Sequence, residues 1–356
     1  MENEHYIEDN FFMFYHIYRS RLFISIIIIA TNPTVLLKYS VESALAQTLS
    51  RQDYEIIVVK NYKEKQIDEF LSKSGIINIY TENRHLGKKV ALATQIARGD
   101  VISLLDYDDL FLPFKLESVK EAFLSNPELE YYHNNFTVIT GDEPMNYFEP
   151  SQNSPSRLYF HGKKLAKKVG KLKLFRADFN SSCISIKKTV LSDFFELIGE
   201  IKISLDQAIF YICLNLNGGL LIDSKILTLY RVHDNNSSYP VSVKVNQSEI
   251  QKKKMQAYET NRLDDLYNLL SNFGITFASY ITEDIVLIKI SRCLLMSENS
   301  IHQEISFVEY LQYVKSGRLM TRTIVAMLCL LVQNCKILNN LLIKVKFVNL
   351  KEKLFR

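Results

Sequence analysis

Three carboxylates occupy four positions, Asp106-Tyr107-Asp108-Asp109, directly after the apolar run Val101–Leu105. Acids packed this closely repel one another, and such a cluster is stable mainly when a hard divalent cation with oxygen preference neutralises it. Mg²⁺ or Mn²⁺ takes one or two protein carboxylates and keeps its other positions for water and phosphate oxygens, so a diphosphate is the natural co-ligand. The same acids also read as a helix start, with Asp108 or Asp109 capping a helix over Leu110–Phe114. The motif alone leaves both readings open.

The elements that must position this cluster are legible upstream. Residues 22–109 alternate short β-branched runs with longer helical patterns, the rhythm of parallel strands joined by crossover helices. Strands are expected at Leu22–Ile29, Tyr54–Val59, Ile76–Tyr80 and Val101–Leu105. Asn32 and Pro33 read as cap and first-turn residue of a helix carrying Val41, Ala44, Leu45 and Leu49. Gly87–Ala97 reads as a second helix, with Gly99 in the position that ends helices in the left-handed conformation. In such a doubly wound α/β half-domain the ligand lies beyond the carboxyl ends of the strands, so Ala30, Thr31, Asn32, Lys60, Asn61 and Asp106–Asp109 should converge on it. Lys88 and Lys89 could meet a phosphate at a helix start, or be solvated lysines on an exposed face. From 126 to 240 the pattern is α+β, with a helix near Asp206–Asn217 and a strand over Leu220–Val232. Beyond 245, helical patterns follow one another, which implies a separate carboxy-terminal helical domain.

Read together, Ser25–Asn32, Ser43–Thr48, Tyr54–Val59, Asn83–Gly87, Ala97–Asp100 and Leu105–Asp109 resemble glycosyltransferase family 2 in order and spacing. Further on, Ser182–Lys188 resembles the strand that follows the acceptor region, and Leu205-Asp206-Gln207 precedes Tyr230-Arg231-Val232-His233 at the family's interval. The resemblance covers residues 22–240, divided into a nucleotide-sugar-binding half (22–109) and an acceptor half (110–240), with an amino-terminal extension (1–21) and the helical domain (241–356) outside it. It implies the GT-A fold, a Rossmann-like α/β domain with a doubly wound, mostly parallel sheet. It also implies a nucleoside-diphosphate sugar donor (UDP-sugar favoured), Mg²⁺ or Mn²⁺, and inverting transfer to a hydroxyl of a glycan or lipid-linked acceptor, as in polysaccharide biosynthesis. Carried over by position, Asp106, Asp108 and His233 would hold the metal and Asp206 would be the catalytic base. Ala30, Thr31, Asn32, Asn61, Lys88, Tyr107, Asp109 and Arg231 would contact the donor. For Asp206 the bland reading is a helix cap, and for His233 an ordinary strand-end residue. The chain departs from the family where a valine pair is usually followed by Asp-Asp-Gly-Ser: here Val58-Val59 is followed by Lys60-Asn61-Tyr62-Lys63. Val90-Ala91 replaces a usual Arg-Asn, and Leu205 a usual glutamate.

Composition narrows the partners. The 356 residues include 43 Lys/Arg and 39 Asp/Glu, a net charge of +4, with 47% hydrophobic residues, which excludes a disordered or collagen-like chain. The small net charge hides a separation, since residues 157–188 hold ten basic residues and one acid and residues 315–356 hold nine and one, leaving 24 basic against 37 acidic residues elsewhere. Lys163, Lys164, Lys167, Lys168, Lys171 and Lys173 could attract an anionic acceptor or lie in a solvated loop. The tail Thr321–Arg356 suits an amphipathic helix on a membrane surface, or one packed on the catalytic domain or on a second subunit of a homo-oligomer. Its longest apolar run, Ile324–Val332, is too short to cross a bilayer. Five scattered cysteines without a CxxC pair and an acidic, polar amino terminus fit a cytoplasmic protein, at most peripheral to the membrane. No nucleic-acid module is recognisable. With no tryptophan in the chain, an aromatic platform must come from Tyr or Phe, Tyr107 first. The rival readings are a catalytically silent sugar-nucleotide-binding or scaffold protein, and a sugar-phosphate nucleotidyltransferase. The latter would want a glycine-rich basic loop where Thr31-Asn32-Pro33 stands.

Overall fold

A computed structural model describes residues 22–141, 156–161, 169–216, 218–233, 249–272 and 280–289. The chain divides into two compact units, Met1–His233 and Asp234–Arg356. The expectations for residues 1–21, for Lys163, Lys164, Lys167 and Lys168, for 234–240 and for the tail Thr321–Arg356 lie outside the described residues. In the second unit the described residues are helical: Glu249–Asn272 and 280–289. Among the described residues no helix is long and apolar enough to cross a membrane.

The first unit is built on one nine-stranded mixed sheet. Strands β1 (Ile24–Ala30), β2 (Tyr54–Lys60), β3 (Ile77–Tyr80) and β4 (Val101–Asp106) run parallel in the order β3-β2-β1-β4. Helices α1 (Leu36–Leu45), α2 (Lys65–Lys73) and α3 (Leu86–Ile96) make the crossovers. The sheet continues through β8 (Ile184–Lys187), β6 (Leu129–Thr140) and β9 (Gly219–Val232), with β5 (Leu110–Phe111) and β7 (Arg157–His161) both antiparallel to β9. Most paired residues lie in parallel ladders, and the α/β class expected from the alternating pattern holds. Helices α4 (Lys115–Ser125), α5 (Val169–Leu174), α6 (Lys188–Asp193), α7 (Phe195–Glu200) and α8 (Leu205–Asn215) complete the unit.

All seven residues of β1 and of β2 are buried, because both faces of a central parallel strand are covered. Alternation divides them: Ile24, Ile26, Ile28, Tyr54, Ile56 and Val58 share a core with Leu37 and Val41 of α1, Leu71 of α2 and Leu116 and Val119 of α4. The intervening Ile27, Ile29, Ile57 and Val59 point to the opposite face. A right-handed crossover from β3 back to β4 places α3 there.

Three local expectations are corrected. Helix α1 starts at Leu36, and Thr34 rather than Asn32 meets its first amide (Leu36 N to Thr34 Oγ1, 3.3 Å), because the side chains of Thr31 and Asn32 are engaged by the Tyr107 hydroxyl. No helix follows the acids: Leu110–Phe111 pairs with Leu229 and Thr228 as a strand, and α4 begins only at Lys115, so Asp108 and Asp109 are not helix caps. Helix α3 ends in Ala97 with extended backbone (φ −60°, ψ 135°), and Gly99 is not left-handed. Gly99 is required sterically, since a Cβ there would lie 2.5 Å from Ser25 N and 2.6 Å from Ser25 Oγ.

That close approach belongs to a polar network at the amino ends of the strands. Gly99 N donates to Ser25 Oγ (2.9 Å), Ser25 Oγ to Glu55 Oε1 (2.7 Å), and Arg98 Nε to Glu55 Oε2 (2.9 Å). Gly99→Ala should therefore lower stability by about 1–3 kcal/mol, as overpacking against rigid backbone does. Equilibrium urea unfolding checks this, and an unchanged midpoint would remove the steric account.

Candidate active site

Asp106 is the last residue of β4, paired across to Ile29 of β1, so it emerges at the carboxyl edge of the sheet. A tight turn closed by Asp109 N donating to Asp106 O (3.2 Å) reverses the chain into β5. The three acids consequently face different surroundings. Asp109 is 1% exposed, and its carboxylate accepts from Arg231 N (2.8 Å), Ser182 Oγ (2.6 Å) and Asn180 Nδ2 (3.2 Å). Both oxygens of this acid, expected at the donor, are thus hydrogen-bonded by protein groups. Burial, then the charges of Asp108 and Asp106, push its carboxyl well above the usual range, against the opposing hydrogen bonds of Ser182 and Arg231. Asp106 and Asp108 remain at the crevice.

Asp106 Oδ2 accepts from Ser181 Oγ (2.7 Å), while its amide donates to Ser182 Oγ (3.0 Å). Burial, the neighbouring Asp108 and, more weakly, Asp206 raise its carboxyl to about 7, opposed by the Ser181 hydrogen bond. Asp108 Oδ2 lies 3.0 Å from His233 Nε2, at the end of β9. Arg231, 1% exposed, donates from Nε to Asp108 O (2.9 Å) and from Nη1 to Gly141 O (2.6 Å). It acts on the acid turn from behind.

Asp206 opens α8 and accepts from Asn180 N through Oδ2 (3.0 Å). Consecutive residues thereby connect the candidate base to the acid turn: Asn180 holds Asp206 and Asp109, Ser181 holds Asp106, and Ser182 holds Asp109. Asn180 sits at φ 68°, a left-handed conformation that Asn tolerates better than most residues, and its side chain caps the short 3₁₀ turn Ser181–Cys183 by accepting from Ser182 N (2.9 Å). Sequence reasoning started this region at Ser182 and missed Asn180 and Ser181. The available signal was an Asn followed by two serines, the composition of a capped turn. Beside the turn, the rings of Phe136, Phe179 and Tyr230 pack with centroids 5.4 to 5.8 Å apart, and the Arg176 guanidinium lies 4.2 Å from the Phe179 centroid.

The strand-end residues expected at the donor occupy the same edge. Tyr107 is 8% exposed, and its hydroxyl is hydrogen-bonded by Asn32 and Thr31. Ala30 O and Asn61 Oδ1 both accept from Lys89 Nζ, at 3.0 and 2.8 Å. Lys89 is fully buried, and burial followed by the nearby Arg84 charge lowers its ammonium to about 8. Lys88 lies over Phe195 of α7 (5.7 Å), and the amides of Leu86 and Gly87 at the start of α3 bond to Lys202 O and Ile201 O. This helix start is closed by protein carbonyls. Lys60, 1% exposed, pairs with Asp68 (2.7 Å) and donates to Tyr62 O (2.9 Å). Of the basic run, Lys173 contacts Asp178 and the Tyr211 hydroxyl, and Lys171 lies over Phe175.

Residues 25–182, which carry β1 to β4, the acid turn and the Asn180–Ser182 turn, match the family model described as glycosyl transferase family 2. This segment, less than half of the chain, resembles a family 2 glycosyltransferase domain. The α/β fold with a mostly parallel sheet implied by the sequence motifs accordingly stands. Among solved structures, Staphylococcus aureus TarS is similar at 14% identity and a TM-score of 0.48, over 82% of this chain and 47% of that one. Its 1–349 fragment in complex with UDP-GlcNAc is similar at 14% identity and 0.48, over 83% and 79%. The chain spans about half the length of the full TarS chain. No curated protein sequence matches it.

The site also rests on a buried cation. Lys115, fully buried, donates to Asn134 Oδ1 and to Ser182 O (3.1 Å), and Thr228 Oγ1 donates to the same Ser182 carbonyl (3.0 Å). Burial lowers its ammonium from 10.5 to about 8. Between those values the unfolded chain binds more protons than the folded one, so the stability this group contributes rises with pH across the window. Unfolding free energies at about pH 7.5 and about pH 9.5 should therefore show wild type gaining on Lys115→Met. Parallel pH profiles would contradict the burial argument.

Proposed function

We propose that this glycosyltransferase moves a sugar from a nucleoside-diphosphate sugar to an acceptor hydroxyl with inversion, using a divalent cation at Asp106 and Asp108 and Asp206 as base. The supporting observation is the Asn180–Ser182 turn, which ties Asp206, Asp106 and the buried Asp109 into one hydrogen-bonded unit at the carboxyl edge of the sheet.

The donor set fits Mg²⁺ or Mn²⁺. Adjacent ligands of an octahedral ion at ~2.1 Å lie ~3 Å apart, comparable with the 3.0 Å between Asp108 Oδ2 and His233 Nε2. Asp106 adds a second carboxylate, whose affinity for a proton is raised by burial first and then by the charge of Asp108. Among the described residues no group of three or more His, Cys, Asp or Glu is placed to hold a metal by itself, so an ion there would draw the rest of its shell from phosphate and water. Bound there, the cation would neutralise the leaving diphosphate.

Asp206 takes the proton of the acceptor hydroxyl as its oxygen bonds to the anomeric carbon and the bond from that carbon to the diphosphate oxygen breaks. Asn180 N holds one carboxylate oxygen of Asp206 in place for this transfer, and Ser181 orients Asp106 at the leaving-group end. In this reading residues 22–240 form the catalytic domain, the acceptor is a glycan or lipid-linked hydroxyl on the cytoplasmic side, and the basic, leucine-rich tail meets an anionic membrane surface.

With Mn²⁺ and a UDP-sugar, Asp206→Asn should lower kcat by about 10²–10⁴-fold while donor affinity stays near that of wild type. Asp106→Asn should abolish the Mn²⁺-dependent rise in melting temperature produced by UDP. Turnover unaffected by either substitution would overturn the mechanism, and donor binding without turnover in wild type would mark a silent sugar-nucleotide-binding protein.

A further inference from the structure

One peptide unit joins the candidate base to the interior of the sheet. The carbonyl of the Phe179–Asn180 peptide lies 2.9 Å from His133 Nε2, and the N–H of the same peptide donates to Asp206 Oδ2 at 3.0 Å. A carbonyl oxygen only accepts, so His133 carries its proton on Nε2 and donates it. Among the described residues every peptide bond is trans, so this C=O and N–H point in opposite directions from one rigid plane. His133 grips one edge of the plane and Asp206 the other.

The two ends of this connection differ in how firmly they are anchored. His133 is 2% exposed and sits inside the sheet, on β6 between Ile184 of β8 and Ile222 of β9. Burial, against the opposing Phe179 hydrogen bond and with the charges of Lys115 and Arg176, lowers its imidazole to about 4, so near neutral pH it is uncharged with a single proton. Asp206 Oδ1 accepts from Gln207 N (2.9 Å), a contact within α8 that does not fix the helix against the acid turn. The Asn180 amide does fix it. Asn180 is left-handed (φ 68°), and a non-glycine residue keeps that conformation where its surroundings over-determine it, as a bond on each edge of the plane does here.

We propose that His133 is a positioning residue for the base: it holds the Phe179–Asn180 plane so that the Asn180 amide aims Asp206 at the acceptor hydroxyl. This rests on the assignment of Asp206 as base made above. Hydrogen bonds on opposite edges of one peptide polarise it in the same sense, so donation from His133 also strengthens the Asn180 amide as a donor. Tyr131, two residues back on β6, donates to Ala177 O, two peptide units before the one that meets Asp206, and so provides a control for loss of stability alone.

The test measures UDP release by the full chain from UDP-glucose, UDP-galactose and UDP-N-acetylglucosamine with Mn²⁺, water taking the acceptor's place and passing its proton to Asp206. The donor turned over fastest is used throughout. His133→Asn, whose amide is one methylene too short to reach Phe179 O, should lower kcat by about 10–100-fold with the donor KM near that of wild type. His133→Gln, whose amide reaches the Nε2 position, should recover most of that loss. Tyr131→Phe should lower the urea midpoint and leave kcat within about threefold of wild type. In an Asp206→Asn background His133→Asn should cause no further loss, since the group it positions is gone. With Asp206→Asn itself slow, any of four results overturns the inference: full turnover by His133→Asn, equal losses in the Asn and Gln variants, a loss as large in Tyr131→Phe, or losses that multiply in the double variant. Wild-type turnover by Asp206→Asn, or no donor turned over by wild type, would instead sink the base assignment, and the inference with it.

Discussion

The site depends on one buried carboxylate. Asp109 is desolvated and lies next to two further acids, an arrangement that costs several kcal/mol unless donors surround it. Those donors come from two separate parts of the chain: the β9 backbone at Arg231, and the 3₁₀ turn through the Asn180 amide group and the Ser182 hydroxyl. Satisfying this one group fixes the separation of the acid turn, the 3₁₀ turn and the last strand. Asp106, Asp108, His233 and Asp206 then inherit their positions. The same economy explains why Asn180 can adopt a left-handed backbone, since each of its polar groups gains a partner there.

Buried lysines extend this scheme outward. Lys115 supports the Ser182 carbonyl and Lys89 supports the end of β1, each donating to neutral oxygens with no carboxylate in hydrogen-bonding contact. Both ammonium groups are depressed to about 8 by burial. An ammonium is well suited to gathering several carbonyl oxygens at one point, which a neutral side chain with fewer donors does less well.

Much of the framework was legible in the sequence because it follows from periodicity. Runs such as Ile24–Ala30 and Tyr54–Lys60 admit no reading but a strand covered on both faces, and acids after an apolar strand in a doubly wound half must emerge at its carboxyl edge. What escaped was tertiary. Whether Asp109 meets solvent or a ring of donors depends on residues 71 and more positions away, and no local pattern encodes that. Helix caps failed for a similar reason: Asn32 is a good cap by type, but Tyr107 competes for its side chain. Gly99 reads from sequence as a left-handed helix end, whereas a close approach by β1 is what requires it, and such an approach leaves no local signature.

The network of Ser25, Glu55, Arg98 and Gly99 lies at the amino ends of the strands, whereas every candidate reactive group lies at their carboxyl ends. The two edges of the sheet consequently answer to different pressures. Inherited changes near Ser25 or Gly99 should surface as lower cellular abundance at unchanged sugar preference. Changes at the carboxyl rim that leave the donors of Asp109 in place are freer to alter chemistry with little loss of folded protein. A lineage can in this way explore new donors at one rim while the opposite rim keeps the domain folded.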